Sequence, residues 1–338
     1  MGGTTEAFQW ATSIPSAEAS FGTAIPLVNL TDWLTINEFN PAKIDKTFRT
    51  DQNRIKGSRG VQTRQLATRM GTIPFKADAS IEKLVWLLYR GLGNGVPSGA
   101  SDPFTHTIKH PTLCTREPWS TSLMQGIVCG GLSSGYKLFS GVTLDQFSIT
   151  HDGDNPLSLE WTEKTDGREV TQGAFTWPST PVAVNYLLAS HVNMKLYPNG
   201  GGAIDITNKL MSHKLTYSFN VQRPKVSNGS IYVPRYRYSQ GHPKLDLEFV
   251  VSGDKSDAIY GYADSETLLT IVLTYDTGLT PARSAELTIA KCYIQVEQTS
   301  DDIEPTLNCK VEPIDILADN GPAVWVGKTG VSAYLNPL

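Results

Sequence analysis

Hydrophobic and polar positions alternate with a period of two through much of the chain, the spacing at which successive side chains of a strand point to opposite faces. The clearest run sets Leu215, Tyr217, Phe219 and Val221 against Lys214, Thr216, Ser218 and Asn220, a strand with one buried face. Comparable patterns predict strands over 30–36, 66–75, 104–108, 123–149, 157–161, 245–251, 268–275, 287–296 and 307–311. Within 138–149 the phase slips at Asp145 and Gln146, as a β-bulge would require. Helical spacing occurs in two places. Ser80 stands before Ile81, Leu84, Val85 and Leu88, an i, i+3, i+4, i+7 stripe with Glu82 and Lys83 off it, and Gly91 is placed to close the turn. This predicts a short amphipathic helix lying on a sheet. A weaker candidate runs from Asp254 or Ser256 through Ala258, Ile259 and Tyr262. The expected fold class is mainly β.

The order of these elements repeats. A strand near Leu30, a long polar loop, a strand over 66–75, the helix, strands over 104–108 and 123–149 and a closing strand over 157–161 make the first round. The second runs from 215–221 through a long loop to Pro243, then 245–251, the weaker helix, 268–275, 287–296 and 307–311. At roughly 100 to 200 residues per domain, 338 residues hold two such units. The predicted organisation is an N-terminal arm (1–23), a first unit (24–168), a bridging segment (169–202), a second unit (203–318) and a C-terminal arm (319–338), the arms rich in Gly, Ser, Thr and Pro. Two unrelated β domains sharing strand order by chance is the competing explanation.

Charge distribution follows the same division. The first long loop carries Arg49, Arg54, Lys56 and Arg59 against the single acid Asp51, and the second carries Arg223, Lys225, Arg235, Arg237 and Lys244 with no acid. The turn before each closing strand is acidic and ends in proline: Asp152, Asp154 and Pro156 in the first unit, Asp301, Asp302, Glu304 and Pro305 in the second. Overall, 29 basic against 33 acidic residues leave a net charge of −4, which does not fit a general nucleic-acid coat. The densest apolar stretch, 81–92, is interrupted by Glu82, Lys83 and Arg90, well short of the ~20 apolar residues that span a bilayer. Residues 1–10 have no basic head before an apolar segment, so synthesis and retention in the cytoplasm is expected.

Catalytic and metal-binding patterns are weak. Cys114, Cys129, Cys292 and Cys309 form no C-x-x-C pair and read as buried thiols. Gly91, Gly93, Gly95 and Gly99 follow a helix and lack the spacing of a phosphate loop. His106 and His110 are four apart, but in an extended segment that spacing separates them. Asp152 and Asp154 lack the further ligands of a calcium loop, and no G-x-S-x-G elbow presents a serine. No enzyme activity, cofactor or metal is expected.

One combination of parts carries a family likeness. An extended arm with Glu18, Ala19, Ser20, Phe21, Gly22 and Thr23 precedes a long basic loop, one helix on a sheet and the run Ser140, Gly141, Val142, Thr143, Leu144, Asp145, Gln146, Phe147, Ser148, Ile149. Over 18–316 the chain resembles the tail tube proteins of long-tailed bacteriophages, in the larger form that carries the tube unit twice. The resemblance implies β-sandwich or barrel-like units, each flanked by a helix, that assemble into rings stacked as a hollow tube. Through this tube the viral genome passes without specific binding. It implies a virion protein, made in the host cytoplasm, that contacts itself, a tape-measure protein and terminator or tip proteins. Family members reach the adjacent ring with a long loop between early strands, which by position falls on 47–60 here, with a second copy over 223–244.

With two units per chain, three chains would close a pseudo-sixfold ring, and six chains is the alternative. The inter-ring contacts expected are Arg49, Arg54, Lys56, Arg59, Arg223, Lys225, Arg235 and Arg237 against Asp152, Asp154, Asp301, Asp302 and Glu304, with Ile55, Ile231 and Tyr232 buried between rings. A β-rich adhesin and a carbohydrate-binding or carbohydrate-active protein share this composition and are the alternative functions.

Overall fold

The computed structural model describes residues 7–12, 33–34, 42–51, 63–93, 95–109, 120–129, 132–172, 186–223, 232–233, 236–238, 243–299, 305–314 and 323–330. The chain is mainly β. In order, the first half forms β1 (Ala7–Thr12), β2 (Trp33–Leu34), β3 (Lys43–Asp51), β4 (Thr63–Asp78), α1 (Ile81–Leu92), β5 (Gly95–Ser98), β6 (Phe104–Lys109), β7 (Thr121–Cys129), β8 (Leu132–Asp152), β9 (Ser158–Thr165) and β10 (Glu169–Gln172). The second forms β11 (Val192–Pro198), β12 (Ile204–Asp205), β13 (Leu210–Ser218), β14 (Val221–Gln222), β15 (Arg237–Tyr238), β16 (Lys244–Ser252), α2 (Ala258–Asp264), β17 (Leu269–Asp276), β18 (Ser284–Thr299), β19 (Thr306–Pro313) and β20 (Ala323–Thr329).

Antiparallel pairing links eight strands into one long sheet, in the order β3-β4-β9-β8-β13-β16-β19-β18. Two strands are long enough to serve two sheets. The N-terminal half of β8 lies between β7 and β10 in a flanking sheet ordered β2-β1-β7-β8-β10. The N-terminal half of β18 lies likewise between β17 and β20, in the order β12-β11-β17-β18-β20-β6-β5.

The second unit therefore repeats the pairings of the first. β3–β4, β4–β9, β9–β8, β8–β7, β8–β10 and β7–β1 have as counterparts β13–β16, β16–β19, β19–β18, β18–β17, β18–β20 and β17–β11. This correspondence differs from the one read in sequence order. The counterpart of β13 is β3 rather than a strand near Leu30, and β17 answers to β7 rather than to β6. The β5–β6 hairpin has no equivalent, because α2 and β17 are four residues apart, and it is instead added to the second unit's flanking sheet through β20. The expected bridging segment holds β10 and β11, and the expected C-terminal arm holds β20. Each of these strands completes a flanking sheet, which sequence order alone does not disclose.

Alternation along the long sheet puts one face in the core. Phe75, Trp161, Phe147, Tyr217, Leu247, Phe249 and Val311 are buried, and each such burial contributes about 1.5–3 kcal/mol. Phe75 stacks on Trp161 at 4.7 Å, and Phe147 on Tyr217 at 5.2 Å. The bulge expected at Asp145 and Gln146 is present, as a register shift between Leu144 and Gln146 where β8 pairs with β9.

α1 departs from its amphipathic reading. Ser80 caps it through Lys83 N, but the left-handed residue that ends it is Gly93, at φ 66°, and Gly91 lies inside the helix. The polar side of α1 is buried too, apart from Glu82, because β6 and β8 of the first half and β18 and β20 of the second pack against the helix. Charges buried in this way must be neutralised internally. Arg90 does so with both Nη atoms on the Glu163 carboxylate, one at 3.0 Å, and a bond to Val142 O at 3.2 Å. Lys83 donates to Asp78 O at 3.1 Å, and burial lowers its pKa to about 8. α2 spans Ala258–Asp264 behind an Asp257 cap, so it includes Ile259 and Tyr262 as expected but is capped by neither Asp254 nor Ser256.

Candidate assembly surfaces

Strand directions sort the predicted site residues between the two ends of the long sheet. At one end β8 stops at Asp152 beside Ser212, β9 begins at Ser158, and Ser252, Thr299 and Thr306 stand opposite one another. Both acidic turns therefore leave the sheet from that end, and Asp152 and Asp154 are exposed there. At the other end Asp51 faces Thr63 and Ser218 faces Lys244, so both basic loops leave from the opposite end. Arg49 belongs to β3, and Arg237 is exposed on β15. Arg54, Ile55, Lys56, Arg59, Lys225, Ile231, Arg235, Asp301, Asp302 and Glu304 lie outside the described residues.

The described parts of the second loop fold back on the first unit. Val233 and Tyr236 are buried. Val233 N donates to Asp166 O at 3.1 Å, and the Tyr236 hydroxyl to Thr165 O at 2.7 Å. Tyr232, expected to be buried between rings, lies half-buried against the guanidinium groups of Arg168 (5.1 Å) and Arg69 (5.9 Å) of its own chain. Arg223, at the start of this loop, is half-buried as well.

The two units meet where β8 pairs with β13, from Ser212 opposite Asp152 to Ser218 opposite Gln146. The bulge at Asp145 makes this seam possible. Its carbonyl accepts from Phe219 N (2.8 Å) and its carboxylate from Val221 N (2.9 Å), while Lys164 bridges that carboxylate (2.9 Å) and Val221 O (2.7 Å). Phe219 then lies so close to α1 that a Cβ on Gly91 would sit 2.0 Å from its ring. His151 and His213 face each other across the seam with ring centroids 5.3 Å apart. His213 bonds the Tyr275 hydroxyl at 2.9 Å, and burial pushes its pKa down to about 3. Trp325 Nε1 donates to the Tyr217 hydroxyl at 2.9 Å, tying the long sheet to the flanking sheet. The sequence pattern marks Tyr217, Phe219 and Val221 as buried and Asp145 as a phase slip, but it does not show that they meet at a seam or that His151, His213 and Trp325 join them.

The other face of the long sheet is polar. Across β8, β13, β16, β19 and β18 it curves into a hollow of about 610 Å³ lined by Thr150, Ser212, Lys214, Glu248, Asn308 and Lys310. Its described lysines stand beside carboxylates: Lys76 to Glu160 at 3.0 Å, Lys244 to Asp246 at 2.8 Å, Lys43 to Asp45 at 3.5 Å, and Lys214 and Lys310 on either side of Glu248 in the register. Asp152, Glu297 and Glu312 add further negative charge.

Among the described residues no group of three or more His, Cys, Asp or Glu side chains is placed to hold a metal ion, and no helix is long and apolar enough to cross a membrane. Cys292 and Cys309 are buried free thiols, and burial raises both to about 12. No protein-family model and no curated protein matches this chain.

Proposed function

We propose that this protein is a structural subunit that closes into rings and stacks into a hollow tube, the role that its resemblance to phage tail tube proteins implies. In a virion this tube is the conduit for genome delivery. The observation that carries the reading is the polarity of the long sheet, in which the strand ends that flank both basic loops lie at one end and those that flank both acidic turns at the other. Copies stacked head to tail along the strands bring unlike charges together at every junction. Single exposed pairs contribute only about 0–1 kcal/mol, but symmetry repeats them around each ring.

The polar, concave face suits the inside of such a tube. Fixed cations that grip phosphates make binding tight and salt-dependent, which would hinder passage of DNA. A wall whose lysines stand beside carboxylates avoids that trap. The two lateral strands of the sheet, β3 and the C-terminal half of β18, each pair with a neighbour on one side only among the described residues, and joining them in a ring removes the hazard of open edges.

Reversing charge at Arg54 and Arg59, in the first basic loop, tests stacking. The variant is expected to remain folded, to form single rings, and to have lost long tubes under negative-stain microscopy. Tubes as long as those of the parent, with the same response to salt, would remove the loops from the stacking contact.

A further inference from the structure

We infer that the seam within the chain is the template for the seam between copies: β3 of one copy adds to β18 of the next in the register by which β13 adds to β8, and this second seam is the weaker and salt-sensitive one. The inference rests on the ring-forming reading above and adds the contacting residues.

The register follows from the repeated pairings. The strands that lead into the two helices end at Asp78 and Ser252, which makes Thr72 equivalent to Asp246 and Ala77 to Val251. Lys43 stands opposite Thr72 as Thr216 stands opposite Asp246, so Lys43 takes the place of Thr216. On the other side, Leu159 faces Ala77 as Leu307 faces Val251, and Ile149 faces Leu159 as Gln298 faces Leu307. Glu297 therefore takes the place of Ser148. Within the chain Thr216 faces Ser148 and Tyr217 faces Phe147. Between copies Lys43 then faces Glu297, and Ile44 faces Val296.

Three observations made without this registration agree with it. First, the residues it brings together carry opposite charge, and both are exposed in the single chain. Second, α1 is buried at every residue but Glu82, in part by β18 and β20 of the second unit, whereas its counterpart α2 has one buried residue, Ile259, and leaves Tyr260 and Tyr262 half-covered. Third, a hollow of about 480 Å³ lies between α2 and the open half of β18, lined by Tyr260, Tyr293 and Val296 together with Asp264, Glu266 and Glu312. A neighbouring copy on β18 would cover this hollow.

The two seams differ in strength. The internal one is sealed by stacked Phe147 and Tyr217 and by Phe219 against α1. The open one offers Ile44 on Val296 and a charge pair, so the whole chain is the unit that associates and dissociates.

Two variants of the full chain test the register. Directly opposed antiparallel residues have Cα atoms about 4.5–5.5 Å apart, within disulfide reach. Under mild oxidation Lys43→Cys/Glu297→Cys should give interchain disulfides closing at a covalent trimer, with Lys43→Cys/Tyr293→Cys and the parent as controls. In parallel, Lys43→Glu and Glu297→Lys should each weaken association about two- to fivefold at low salt, and the double swap should restore it. Rings that form without the expected cross-link, that cross-link equally in the slipped pair, or whose charge swap fails to rescue would overturn the register and leave the ring reading standing. A chain that stays monomeric at every concentration and salt overturns both.

Discussion

Gly91 sets local propensity against packing. In an α-helix interior alanine is better than glycine by roughly 0.5–1 kcal/mol, so a Gly91→Ala change judged on α1 alone should stabilise. The Phe219 ring leaves no room for the added methyl, and overpacking of this kind typically costs about 1–3 kcal/mol. Gly91→Ala is therefore expected to lower the melting temperature, and Phe219→Leu in the same chain to recover part of the loss. Stabilisation by the single change would show that Phe219 does not press on the helix.

His213 gives a second residue-scale test. Its folded pKa of about 3 lies below the ~6.5 of an exposed imidazole, so the unfolded chain binds more protons between those values. The stability that depends on a neutral His213 is complete above pH ~6.5 and is lost toward pH ~3, with a slope of up to about 1.4 kcal/mol per pH unit. His151, also shifted down by burial, acts in the same direction. Melting temperatures from pH 7.5 to 4 should fall less steeply for His213→Phe than for the parent. Parallel curves would contradict the assignment.

At the scale of elements, α1 is joined to β9 through Arg90 and Glu163, both almost completely buried. Removing one partner strands the other, which typically costs about 3–5 kcal/mol, whereas replacing both with apolar residues of similar size is often neutral. Thermal unfolding should rank Arg90→Met and Glu163→Leu as strongly destabilising, with the double variant closer to the parent than either. Additive losses would mean that the pair does not act as a unit.

Much of this level was legible in the sequence, because strand alternation, the Ser80 cap and the slip at Asp145 are local signals with local causes. The nearly complete burial of α1 was not legible, since Gly327 of β20 packs against Val85 and Arg283, next to β18, pairs with Glu82, each more than 180 positions away. The counterpart of β17 was misplaced for a related reason. A hairpin inserted into one unit shifts the order of elements without changing how the strands pair.

For the whole molecule, the basic loops and acidic turns could be named from composition, but their placement at opposite ends depends on strand direction and register. The docking of Val233 and Tyr236 on the first unit leaves the second loop partly occupied within its own chain. More of the inter-ring contact should therefore fall to the first loop, 52–62. Deleting 52–58 is expected to abolish tubes under negative stain, while Lys225→Glu shortens them. Equal effects would argue that both loops reach the next ring.

Copies of this chain are expected to join side by side through their open edges and to stack end to end. The most direct measurement is a cryo-microscopy reconstruction of the assembled full-length protein. The expected result is a hollow tube of stacked rings, each built from three chains with six similar lobes and the polar face of the long sheet inside. Rings of six chains, a tube lined by the apolar face, or discrete monomers at every protein and salt concentration would contradict it.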